Sequence, residues 1–112
     1  MPAINSLDLH IIKSVKKHDP DRYRAALFAA PGARARLLTL YAFHYELAKV
    51  PEHVSEPMIG AIRYQWWRDM LAEHFEGRAV RKHEIANPLA LAIEQGSVPR
   101  FWLDALIDGR ER

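Results

Sequence analysis

Residues 41–71 read YAFHYELAKVPEHVSEPMIGAIRYQWWRDML, and the spacing of apolar residues on either side of Ser55-Glu56-Pro57 decides the fold. Upstream, Leu37, Leu40, Tyr41, His44 and Leu47 recur at intervals of three and four, which is the signature of one helical face. That helix is predicted to open near Ala33. Downstream, Ser55 is placed to cap a second helix, Glu56 suits its positive first turn, and Pro57 lacks a donor where none is needed. Gly77 is the expected stop. The stretch therefore reads as two helices meeting at a corner.

Working outward, the same punctuation gives further helices. Asp19 is a cap and Pro20 a first helical residue for a segment carrying Tyr23, Ala26, Leu27 and Ala30, with Pro31-Gly32 ending it. Asn87-Pro88 opens a short helix that Gly96 closes, and Pro99 opens another running towards Asp108. No strand alternation is sustained and no internal repeat is visible, so the expected class is all-α. Residues 1–18 read as an N-terminal extension and 19–112 as the helical domain. In the extension, Lys13, Lys16 and Lys17 beside Ile11, Ile12 and Val15 suit an anionic membrane surface, and the plainer expectation is a frayed helix.

The helix after the corner is apolar nearly all round, with Ile59, Ile62, Trp66 and Met70 on one side and Tyr64, Trp67, Leu71 and Phe75 on another. A surface helix shows one stripe, so this helix is expected to be central and wrapped by neighbours. Gly60 would allow another helix to approach closely.

Composition excludes several function classes. The chain has 112 residues, 49% hydrophobic and 27% charged, an ordinary balance for one globular domain. There is no cysteine, so thiol catalysis, disulfides and cysteine-bound zinc are excluded. A formal net charge of +2 gives no nucleic-acid footprint. No apolar run approaches membrane-spanning length and no signal-peptide core is visible.

The run AFHYELAKV, the following VSEPMIGAIRYQWWRD, Asp19-Pro20-Asp21-Arg22-Tyr23 and Leu106-Ile107-Asp108-Gly109-Arg110-Glu111 together resemble the squalene/phytoene synthase family. The resemblance spans about Asp19 to Arg112. It is closest to a subgroup containing a phytoene-synthase-like mitochondrial complex I assembly factor and bacterial relatives. It implies the N-terminal portion of an isoprenoid-synthase-type helical fold, with a second aspartate-rich helix in a C-terminal part absent here. A truncated half-domain would expose apolar surface, and self-association is expected of it.

Family members hold magnesium against a prenyl diphosphate through paired aspartates directly after an aromatic run like Tyr41-Ala42-Phe43. Carried over, the aspartate positions fall on Ala48, Lys49 and Glu52, and a nearby arginine on Tyr45. Only Glu52 is a carboxylate, and an ammonium at Lys49 repels a dication, though it can contact phosphate. Pro51 interrupts the helix that would have to present both carboxylates. The plainer reading is that Glu46, Lys49, Glu52 and His53 solvate an exposed face.

The implied candidates are thus Tyr41, Tyr45, Lys49, Glu52 and Trp66 as pocket residues, with Glu52 as the one candidate magnesium ligand. No catalytic residue and no cofactor is assigned. The resemblance implies a non-catalytic role in respiratory complex assembly or isoprenoid lipid binding, with respiratory subunits, a prenyl diphosphate or isoprenoid lipid, and a membrane surface as partners. The expected location is cytoplasmic, peripheral at the inner membrane. The alternative is a magnesium-dependent head-to-head prenyl diphosphate synthase in a longer form, Mg2+ then being its cofactor.

Other constellations have ordinary explanations. Asp69, Glu73 and Glu76 share a helical stripe, but the arginines at 68, 78 and 81 make an ion-paired face the simpler account. Asp19 and Asp21 stand where diphosphate-binding members carry serines, and capping explains them better. Arg22, Arg24, Arg34 and Arg36 form a basic edge that could attract phosphate. His44, His53, His74 and His83 show no paired-ligand spacing, and His44 is the one placed to point inward.

Overall fold

The computed structural model describes residues 6–53 and 56–111, and among them every regular element is a helix. In chain order these are α1 (Ser6–His18), α2 (Pro20–Ala26), α3 (Pro31–Ala48), α4 (Val50–His53), α5 (Pro57–Phe75), α6 (Ala86–Gly96) and α7 (Arg100–Glu111). The all-α expectation holds.

The helix boundaries follow local chemistry. Asp19 caps α2, its carboxylate accepting from the Arg22 N–H at 3.3 Å, with Pro20 in the first turn. Gly77 takes φ +73° just past α5, a backbone shape that costs glycine least. The expected cap at Ser55 lies outside the described residues. Pro31 departs from expectation: it opens α3 instead of closing α2. A proline there loses no helical hydrogen bond, and α2 has already ended at Ala26 through turns at Leu27 and Phe28.

The middle of the bundle is α3, which packs against α1, α2, α6 and α7. It supplies Leu38, Ala42, Phe43 and Leu47 to one core, which α5 joins with Tyr64, Trp67, Met70 and Leu71. Thr39 is buried among them and satisfies its hydroxyl by donating to the Ala35 carbonyl at 2.8 Å. Phe43 is fully buried and meets Trp67 edge-on, ring centroids 5.1 Å apart.

Two expectations are corrected here. The helix after the corner, α5, is not wrapped: Met58, Ile59 and Ile62 are exposed, Met58 by 74%. It packs chiefly on α7, with lesser contacts to α4 and α6. The frayed N-terminal helix is instead a docked one. In α1, Ile11 and Val15, four apart on one face, are buried against α3 within the same core as the rest of the chain.

Candidate functional site

A cavity of about 600 Å³ opens where α3 ends, α4 turns away and α5 passes. Its apolar wall is Val50, Ile62, Trp66 and Trp67, and its polar wall is Glu46, Lys49, Arg63 and His83. A second groove of about 360 Å³ runs between α1 and the end of α3 and shares Glu46, Lys49 and His83 with the first. The two are therefore neighbours across one short polar partition.

The partition is an ion pair. Lys49 Nζ lies 2.5 Å from Glu46 Oε2, and the Glu46 side chain keeps only 17% of its exposure. These residues do not solvate an open face as expected; they line both cavities. The reason is local. α3 stops at Ala48 and a turn at Lys49 separates it from α4, with the Glu52 N–H bonded to the Lys49 carbonyl at 3.0 Å. The Lys49 side chain is left over the Tyr45 ring, 5.6 Å from its centroid.

The remaining candidates divide. Tyr45 lines the α1 groove and stacks on His18, centroids 4.1 Å apart and planes within 10°. Trp66 lines the larger cavity, with Trp67 and His83 against its ring edges and the Arg81 guanidinium 5.1 Å over its face. Tyr41 lines neither cavity; it is half-buried under the Arg22 guanidinium at 5.7 Å. Glu52 is exposed on α4 and also lines neither.

This donor set does not fit the magnesium that the family's chemistry implies. Magnesium needs several hard oxygen ligands in octahedral array. Where the resemblance pairs this chain with the family's aspartates stand a methyl at Ala48, an ammonium at Lys49 and a carboxylate at Glu52 that lines neither cavity. Among the described residues no three His, Asp or Glu side chains gather as a metal site.

His83 is the residue that sequence reasoning passed over. Its Nδ1 accepts the N–H groups of Ile85 at 3.0 Å and Ala86 at 3.3 Å, so a neutral ring carries its proton on Nε2. Burial, above all, holds its pKa below the ordinary histidine value, opposed by the nearby Glu46 and Glu84 carboxylates. Asn87 fixes this turn by accepting from the His83 N–H at 2.9 Å and donating to the Arg81 carbonyl at 3.2 Å. The one sequence signal was His83 preceding the α6 opening by a turn's length, with Asn87 inside that opening.

Two of the three acids in the stripe, Glu73 and Glu76, are ion-paired with Arg81 and Arg78. Arg81 grips Glu73 through Nε at 3.0 Å and Nη2 at 2.5 Å, and Asp69 accepts from Gln65 at 2.8 Å. In the basic edge, Arg22 and Arg24 pair with Asp19 and Asp21, and Arg34 donates to the Leu27 carbonyl at 2.9 Å.

Comparison with known proteins gives a consistent result. A family model described as squalene/phytoene synthase matches residues 15–112. NADH dehydrogenase (ubiquinone) complex I assembly factor 6 of Rattus norvegicus is 30% identical over 111 residues, covering 99% of this chain and 33% of that protein. Its Homo sapiens counterpart is 27% identical with the same coverage. The Bos taurus protein is 28% identical over 105 residues, covering 94% of this chain and 31% of its own length. The chain thus spans about a third of the length of these curated relatives. No solved structure matches it.

Proposed function

The chain belongs to the squalene/phytoene synthase family, and from that premise we propose that it is a non-catalytic member acting in respiratory complex assembly. In this reading the cavity at Trp66 and Ile62 holds an isoprenoid lipid, and the protein works peripherally at a membrane that bears the complex.

The observation that carries the reading is the Lys49–Glu46 pair. Ionising an allylic diphosphate requires divalent cations bridging the leaving group. At the position where the family places carboxylates, this chain sets an ammonium already neutralised by Glu46. Glu52 stands on a different helix and outside the cavity. What remains is an apolar pocket with aromatic walls and a polar mouth, the arrangement of a binding site. The chain's similarity to complex I assembly factors of three mammals supports the assembly role.

The test has two arms on the chain expressed in its source cell. Affinity capture is expected to recover respiratory subunits, and failure to recover any counts against the assembly role. Incubation with a prenyl diphosphate and magnesium is expected to release no diphosphate. Magnesium-dependent release that Glu52→Ala abolishes would establish the enzyme instead.

A further inference from the structure

The groove between α1 and α3 has a charge arrangement that the lipid-binding reading leaves unused. Lys13 and Lys17 sit four apart on one face of α1 and both side chains border this groove. The two carboxylates that also line it have partners within the groove itself: Glu46 is paired with Lys49, and Glu84 lies 3.1 Å from His10 Nε2, a charge pair only when that imidazole is protonated. Among the described residues no carboxylate lies within ion-pair distance of Lys13 or Lys17. Two like charges held one turn apart without a counter-ion repel each other, and an anion between them removes that cost.

The groove also has a continuation. Across the Lys49–Glu46 partition lies the wall of Ile62 and Trp66, so a molecule with an anionic head and an apolar chain can span both spaces. We propose that the α1 groove is a metal-independent site for a phosphate-bearing group, held by Lys13 and Lys17, with any attached apolar chain lying in the neighbouring cavity. The second half rests on the lipid-binding reading; the lysine site does not. Lysine serves here as a mobile point charge for phosphate. This places the anion on α1, away from Glu52, which does not line the groove.

The 112-residue chain is titrated in EDTA with three probes: inorganic pyrophosphate, dodecyl phosphate and decanol. Tryptophan fluorescence and amide NMR shifts report on the two spaces separately. Saturable binding of both phosphates is expected, with dodecyl phosphate the tighter. Lys13→Gln/Lys17→Gln should weaken both by at least about tenfold, the loss of a charge-assisted contact, and leave decanol binding unchanged. Lys13→Arg/Lys17→Arg should retain phosphate binding, and since both lysines are exposed neither variant disturbs the core. Phosphate binding that needs added magnesium, or that is indifferent to the glutamine pair, overturns the lysine site. Equal affinity for the two phosphates overturns its continuity with the cavity and marks a free anion as the ligand. Loss of decanol binding alone, with pyrophosphate retained, sinks the lipid reading and leaves the lysine site standing.

Discussion

Lys49 Nζ and Glu46 Oε2 are 2.5 Å apart, one helical turn from each other, and both border the larger cavity and the α1 groove. Because each neutralises the other, removing one partner exposes the charge of the remaining one to both spaces. Glu46→Gln should therefore strengthen binding of an anionic amphiphile such as dodecyl phosphate. Lys49→Met should weaken it, leaving the Glu46 carboxylate facing the ligand. Opposite shifts of about threefold to tenfold are expected from one charge-assisted contact. Titration by tryptophan fluorescence measures both, and shifts of the same sign would mean the pair does not act on the ligand through its charges.

Phe43 and Trp67 join α3 to α5 across the core, edge to face at 5.1 Å. Phe43 has no exposed surface, whereas Phe28 at the α2–α3 turn is 92% exposed. Phe43→Ala should cost about 3–5 kcal/mol, the usual loss for a fully buried aromatic. Phe28→Ala should stay within about 0.5 kcal/mol of the parent. Urea unfolding of the three proteins makes the comparison, with unchanged m-values expected.

Much of this fold is legible from punctuation alone. Asp19-Pro20, Gly77 and Pro99 mark helix ends in the sequence because each has a conformational reason independent of tertiary context, whereas α6 runs through Gly96 and its left-handed cap falls on Ser97 at φ +51°. The misreadings occur where context decides. Pro31 can close one helix or open the next, and only the short α2 settles which. The all-round apolar pattern of α5 signals burial, yet Met58 and Ile62 remain largely exposed, Ile62 on the rim of the cavity. Glu46 and Lys49 look like a solvated pair in sequence, and become cavity walls only because α1 and the Arg81–His83 turn fold over them. His83 was unreadable for the same reason: its role comes from two backbone N–H groups that a sequence does not place.

The Glu73 carboxylate is held below its ordinary value, chiefly by hydrogen bonds from the Arg81 side chain against an opposing push from burial, with the Arg81 backbone N–H adding to the lowering. The unfolded chain therefore binds a proton that the folded chain refuses, over the window below pH 4.5. Stability from this pair is fully present above that window and is lost as pH falls through the depressed folded pKa. Glu73→Gln should flatten the acid limb of the stability profile and change little of its slope near neutrality. Denaturant midpoints measured from pH 3 to pH 7 give the slopes. An unchanged acid limb would show that Arg81 does not anchor the turn carrying His83 through Glu73.

His44 Nε2 lies 3.0 Å from Arg110 Nη2, linking α3 to α7. A guanidinium has only donors, so the imidazole nitrogen must be the acceptor and the ring is neutral, with its proton on Nδ1. Burial is the main force holding the His44 pKa below 6.5, and the Arg110 and Arg22 charges add to it against a smaller pull from Asp19. With the folded value depressed, the unfolded state takes up the proton first as pH falls. The contribution of this contact is complete above pH 6.5 and declines below it, as pH approaches the folded pKa. Arg110→Met should raise the midpoint without restoring 6.5, because it removes the second cause and leaves the first. Histidine ring-proton NMR follows the titration directly. A midpoint in Arg110→Met equal to that of the parent would place the whole shift on burial, and one at or above 6.5 would place it on the arginine.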